Sequence, residues 1–157
     1  MMRLRPYRQD DAAFFPEIFD AAVSVTALNH YDQRQVDAWL TLNPGEAAFA
    51  KAYGDGRIAI VIVDGDERPL GFADVEQDGH IQFFYCHPDV SGTGMAAELL
   101  ERLEESVRAT GIKRLSAEAS ETAVGLFRRH GFTLGVRRNL LIDGVPIHNY
   151  AMSKELD

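Results

Sequence analysis

A single cysteine, Cys86, stands among the 157 residues. That leaves no internal disulfide and no cysteine-rich zinc centre to build. No apolar run approaches the ~18 residues that a membrane span requires, and MMRLRPYRQDD at the start lacks the apolar core of a secretory signal. The expectation is a cytoplasmic protein with no membrane partner. Basic residues are in the minority, 16 Lys and Arg against 24 Asp and Glu, for a net charge of -8. A nucleic-acid partner would need a basic face to neutralise phosphates, so that class is excluded. An acidic balance instead suits a cationic substrate such as an amine. Repeats, low-complexity tracts and Pro- or Ser-rich linkers are also missing, so residues 1–157 read as one domain.

What is present is a change of hydrophobic period along the chain. Residues 2–7 alternate as a short strand, and Asp10 and Asp11 open a helix through Val23 with Phe14, Phe15, Ile18 and Phe19 at helical spacing. A second helix begins near Asp32, carries Val36, Trp39 and Leu40, and ends before Asn43-Pro44-Gly45. Residues 46–53 read as a short helix. Three strands follow at 58–64, 70–76 and 80–86, the last two joined by Asp78-Gly79, and they predict an antiparallel meander. Residues 95–109 form the strongest helix, with Met95, Leu99, Leu100, Leu103 and Val107 on one face. A strand at 113–119, a short helix at 122–130 and two strands at 132–142 and 145–153 complete the chain. The passage from 80 to 119 is a crossover unit, so its two strands should run parallel. The fold class is α/β (α+β), a mixed, mostly antiparallel sheet of about seven strands with helices on both faces.

Between the strand and the strong helix lies HPDVSGTGMAAELLERL, residues 87–103. A helix start presents unpaired N–H groups and the positive end of the helix dipole. Small residues before it let a diphosphate reach the backbone. Gly92, Thr93, Gly94, Met95 and Ala96 supply such a nest, although a strand-to-helix turn also uses Gly for conformation alone. No Lys follows, which excludes a Walker loop. The loop follows three consecutive strands, where a dinucleotide fingerprint belongs in the first strand–helix unit of a parallel α/β chain.

This element order, taken with the loop, resembles the GNAT superfamily of acetyl-CoA-dependent N-acetyltransferases. The family's Arg/Gln-x-x-Gly-x-Gly/Ala motif maps onto Ser91-Gly92-Thr93-Gly94-Met95-Ala96, after His87-Pro88-Asp89. A second block, roughly Asn-x-x-Ala-x-x-Leu-Tyr-x-x-x-Gly-Phe, maps onto Ser120, Ala123, Leu126, Phe127, Gly131 and Phe132. HYDQRQVDAWL at 30–40 is similar to a bacterial, YafP-like subgroup. The resemblance implies a single GNAT-like domain in which the pantetheine arm of coenzyme A inserts between two splayed strands. It implies backbone contacts from Phe84, Tyr85 and Cys86, the diphosphate on residues 91–96, and an amide of residue 85 or 86 polarising the thioester carbonyl. Three positions depart from the pattern: Ser91 stands for the usual Arg or Gln, Ser120 for Asn, and Phe127 for the Tyr that protonates the leaving thiolate. A thiol of pKa ~8.5 leaves without that help, and Tyr85 or Tyr150 offers another phenol.

The acceptor amine must lose a proton, and the resemblance places the base early in the third strand of the meander. His80 is the first candidate and Glu76 the second, each with a solvated surface residue as its alternative. The two-residue period puts His80, Gln82, Phe84 and Cys86 on one face. His30, Tyr31 and Trp39 fall where the family builds its acceptor pocket, with ordinary packing as their alternative. Arg128 and Arg129 could meet the 3′-phosphate of coenzyme A or simply face solvent. No metal set is expected. The function that follows is acetyl transfer from acetyl-CoA to a small-molecule or peptide amine by direct attack. The competing reading is a non-catalytic acyl-CoA-binding module, favoured by Ser91 and Phe127. A homodimer is an open partner, because such folds often dimerise.

Overall fold

The computed structural model describes residues 1–157. In chain order it contains β1 (Arg3–Pro6), α1 (Phe15–Ala21), α2 (Gln33–Leu40), α3 (Glu46–Tyr53), β2 (Ile58–Val63), β3 (Pro69–Val75), β4 (His80–Ile81), β5 (Phe84–Cys86), α4 (Met95–Arg108), β6 (Arg114–Ala119), α5 (Val124–Arg129), β7 (Thr133–Ile142) and β8 (Val145–Glu155). The strands form two four-stranded sheets, β1-β2-β3-β5 and β4-β6-β8-β7. The count is eight rather than about seven because the strand expected at 80–86 is broken in two.

That break organises the molecule. His80 and Ile81 pair in parallel with Ser116 and Ala117 of β6, as the crossover requires. Phe84, Tyr85 and Cys86 leave that sheet and pair antiparallel with Ala73, Phe72 and Gly71 of β3. Between them the Asp74 carboxylate, with no exposed surface, accepts the N–H of Gln82 at 2.8 Å and of Phe83 at 3.2 Å. A buried acceptor thus replaces the ladder partners that these two residues lost.

The extra residue also reverses which side chains face which core. Ile81 lies in the cluster around Leu99, Leu103 and Phe127, which Phe84 and Cys86 also meet, whereas Phe83 and Tyr85 pack on the cluster around Phe15, Phe19 and Phe72. The expectation that His80, Gln82, Phe84 and Cys86 share a face therefore fails: alternation holds only in an unbroken strand, and a bulge shifts it by one.

α4 packs Leu99, Leu100, Leu103 and Val107 on the first cluster, all at most 1% exposed. The second cluster is aromatic, with Phe15 stacked on Phe72 at 4.0 Å between ring centroids. The N-terminal segment is not the single helix the spacing predicts. It runs as a 3-10 turn (Gln9–Phe14), α1, a π-helical stretch (Ala22–Thr26) and a second 3-10 turn (Ala27–Asn29). Asp11 caps backward to the Arg8 N–H and is held by a buried two-pronged pair with Arg5 at 2.8 Å. Asp32 caps α2 through the Gln35 N–H, as expected.

Candidate active site

Where β5 leaves β6, a cleft of about 460 Å3 opens between the sheets. One wall is β5. Tyr85 pairs with Phe72, the Phe83 carbonyl accepts from Asp74 N–H, and the His87 N–H donates to the Leu70 carbonyl, so residues 83, 85 and 87 turn their polar backbone toward β3. By alternation Phe84 and Cys86 turn theirs toward the gap. The amide that could polarise a carbonyl in the cleft is therefore that of Cys86 or Phe84, and the Tyr85 amide is committed to the sheet.

The far end of the cleft is the loop before α4. Gly92 and Gly94 have φ of +78° and +80°, a region that favours glycine. The Ser91 and Thr93 N–H groups bond the Pro88 and Val90 carbonyls, and the Met95 N–H reaches the Thr93 hydroxyl at 3.2 Å. This leaves the N–H groups of Gly92, Gly94, Ala96 and Ala97 without backbone partners, and all four residues line the cleft. The pattern narrows the expectation for residues 91–96. Thr93 is a brace, Met95 turns its side chain into the core at 8% exposure, and Ala97 joins the set. Such a row at a helix start is suited to an anion. Arg129 also lines the cleft, whereas Arg128 does not.

Phe127 lies on the cleft wall, 2% exposed and edge-on to Phe84, so no hydroxyl stands at that position. Burial pushes the Cys86 thiol up to about 12, which keeps it protonated and without nucleophilic character. Burial also drives the Tyr85 phenol up to about 12, with the Trp39 indole N–H opposing the rise. Tyr150 lines neither the cleft nor its neighbour, and the nearby Glu121 carboxylate raises the pKa of its phenol.

A second cavity of about 230 Å3 adjoins the cleft. Six residues line both: Trp39, Ile81, Gln82, Tyr85, Glu118 and Ser120. Two molecules that react with each other, one in each cavity, must meet at these side chains. Glu118 is the carboxylate among them. Its oxygens lie 2.9 and 3.1 Å from His80 Nε2, and His80 Nδ1 lies 2.6 Å from Glu76. Arg57, 3.7 Å from Glu76, carries the chain of charges on to Asp74 at 3.5 Å. Burial opposes charge on His80, but the hydrogen bonds its ring donates to Glu76 and Glu118 outweigh it, and its pKa lies above the ordinary histidine value. His80 and Glu76 line neither cavity; they stand behind Glu118. The Gln82 side-chain carbonyl accepts from Arg57 at 2.6 Å, and Gln82 lines both cavities.

Of the pocket residues expected from sequence, Tyr31 and Trp39 are brought together, edge-on at 5.5 Å, and both line the second cavity. Tyr31 precedes α2 in the chain. Its hydroxyl donates to the His148 carbonyl at 2.9 Å and accepts the Glu121 N–H at 2.8 Å, fastening the wall. His30 is exposed and lines neither cavity. Sequence reasoning missed Glu118 because it lies 38 positions from His80, and only the parallel register of His80 with Ser116 makes them neighbours.

Residues 27–154 match the family model described as an acetyltransferase (GNAT) domain. An uncharacterised N-acetyltransferase of Escherichia coli K12, YafP, is 26% identical over 96% of this chain and 94% of its own. A GCN5-related N-acetyltransferase of Rhodopseudomonas palustris, known as a crystal structure, is 31% identical over 98% of this chain and 95% of that one, with a TM-score of 0.87. A putative acetyltransferase of Salmonella typhimurium, yncA, solved with acetyl-CoA, shares the fold at a TM-score of 0.76 and 21% identity over 100% of this chain and 95% of its own. By the extent of the domain match and the relative from Rhodopseudomonas, this chain belongs to the GNAT family of acetyltransferases.

Proposed function

We propose that acetyl-CoA occupies the larger cleft, an amine occupies the smaller, and the acetyl group passes between them at their junction without an acyl-enzyme intermediate. The observation that carries this reading is the shared lining: one carboxylate, one amide and two hydroxyls lie where the cavities meet. The diphosphate accepts from Gly92, Gly94, Ala96 and Ala97, and Arg129 faces the 3′-phosphate. The pantetheine arm lies along Phe84 and Cys86 as an added strand. The Cys86 or Phe84 amide donates to the thioester carbonyl as it gains negative charge.

Glu118 accepts the proton of the attacking amine, directly or through one water, and His80 with Glu76 hold that carboxylate in place. Nitrogen bonds to the carbonyl carbon, the tetrahedral centre collapses, and the carbon–sulfur bond breaks toward coenzyme A. The thiolate, of pKa ~8.5, needs only a weak donor, and Ser120 or Tyr85 stands at the junction to supply one. This arrangement moves the role of base from His80 and Glu76 to the carboxylate they support. His30 takes no part in it, and Tyr31 and Trp39 shape the acceptor wall.

The whole chain acts as one catalytic domain, because Phe15 and Phe19 from outside the matched segment pack on Phe72 and Tyr85 of the cleft sheet. It works in the cytoplasm, where acetyl-CoA is supplied. A homodimer is compatible with this chemistry, since one chain supplies the six residues that line both cavities. Release of free thiol from acetyl-CoA, followed across a panel of small amines and peptide N-termini, tests the reading. Amine-dependent release is expected. Tight coenzyme A binding with no release on any amine would turn it toward a non-catalytic acyl-CoA-binding module.

A further inference from the structure

The acceptor cavity carries two opposite charges set close together. Glu118 stands at the junction, and Arg138 of β7, in the same sheet, lies beside it, Nη1 4.0 Å from Glu118 Oε1. Arg138 has one further polar contact, a long 3.4 Å approach to Asn149 Oδ1. Its side chain is 40% exposed, so most of its donors are open. The other potential cation lining this cavity, His148, is already taken by Glu121 at 2.5 Å. Ile81, Leu140, Ile142 and Ile147 give the lining an apolar side, beside the polar Gln82, Ser120 and Asn149.

From this arrangement we infer that the acceptor is a small zwitterion, an α-amino acid with an apolar side chain. Its ammonium lies against Glu118, its carboxylate against Arg138, and its side chain against the isoleucine wall. An α-amino acid separates its two charges by one carbon, which matches an opposing pair at 4.0 Å. A guanidinium fork holds a carboxylate through two parallel bonds, so it fixes orientation as well as position. A polyamine would bring a second cation onto Arg138, and a plain alkylamine would leave that guanidinium without its anion. A cavity of about 230 Å3 accommodates a residue of leucine size.

The inference rests on the acetyl-transfer reading, so its test separates the two. Acetyl-CoA turnover is compared on L-leucine, isopentylamine, spermidine and a leucine-initiated tripeptide. L-leucine should exceed isopentylamine by roughly 10- to 100-fold in kcat/KM, the range of a charge-assisted hydrogen-bonded pair. Arg138→Gln should bring that ratio close to one, and Arg138→Lys, which keeps the charge, should preserve much of it. The coenzyme A dissociation constant of each variant serves as the folding control. Equal or better turnover on isopentylamine, spermidine or the tripeptide, or a ratio that Arg138→Gln leaves intact, overturns the inference while acetyl transfer stands. If no amine turns over, the acetyl-transfer reading fails, and calorimetry of L-leucine and isopentylamine into the coenzyme A-loaded protein decides the inference. Binding of leucine alone that is lost in Arg138→Gln supports it; equal binding or none overturns it.

Discussion

In the proposed mechanism, Glu118 and His80 divide between them the task that the sequence alone assigned first to His80 and second to Glu76. An imidazole bonded at both nitrogens to carboxylates has no lone pair facing the acceptor. What it can do is fix the rotamer of Glu118 and set the local charge. Glu118→Gln removes the proton acceptor but keeps size and polarity. Turnover should fall by roughly 10²- to 10⁴-fold, the usual range for a general base, while the coenzyme A dissociation constant holds within a few fold. His80→Ala should lower kcat less steeply, and its pH–rate profile should shift because Glu118 loses its cation. Unchanged turnover in Glu118→Gln would remove that carboxylate from the mechanism. The type of residue was legible in the sequence; the identity of the one that reaches the junction was not. His80 and Gln82 were visible as polar positions on a strand, but Glu118 becomes their neighbour only through strand pairing across the α4 crossover. The same limit applied to Arg138, which reaches the pocket from the last hairpin.

Two elements carry the site, and they differ in how far the sequence exposed them. The loop before α4 was readable, because Gly92 and Gly94 stand ahead of a strongly amphipathic helix and the family motif maps onto them. Its internal bonding was not, and it decides that the amides of Gly92, Gly94, Ala96 and Ala97, rather than the whole run, are free. Gly94→Asp places a carboxylate at φ +80° beside those amides. Coenzyme A binding should weaken by ~100-fold or more through like charge and the loss of anion bonds, as calorimetry would measure. The break between β4 and β5 was invisible, since QFF reads as uninterrupted strand by pattern. It depends on Asp74, whose burial pushes its carboxyl up to about 6. A carboxyl raised in this way favours the fold in its protonated form. That contribution is complete below the unfolded value near 3.8 and is lost as pH rises through about 6. A rise of this size corresponds to ~3 kcal/mol at most. Denaturant titrations at pH 4.5 and 7 should therefore differ less in Asp74→Asn than in the parent protein. An undiminished difference would exclude Asp74 as its source.

At the scale of the whole molecule, two sheets share one strand path and part company along it. The wedge between them is the cleft. The meander, the parallel crossover and the final hairpin all followed from period and turn residues, because each is a local pattern. The N-terminal segment departed from its pattern for a non-local reason: its 3-10 and π turns seat Phe15 and Phe19 against Phe72 and Tyr85, and packing overrode helical propensity. The central claim is positional, that this wedge aims a thioester at Glu118. A crystal structure with bound coenzyme A measures it directly. The diphosphate should lie within hydrogen-bonding distance of the Gly92, Gly94, Ala96 and Ala97 amides, with the sulfur between Glu118 and Ser120. A diphosphate seated elsewhere, or a thiol turned away from that junction, would contradict it.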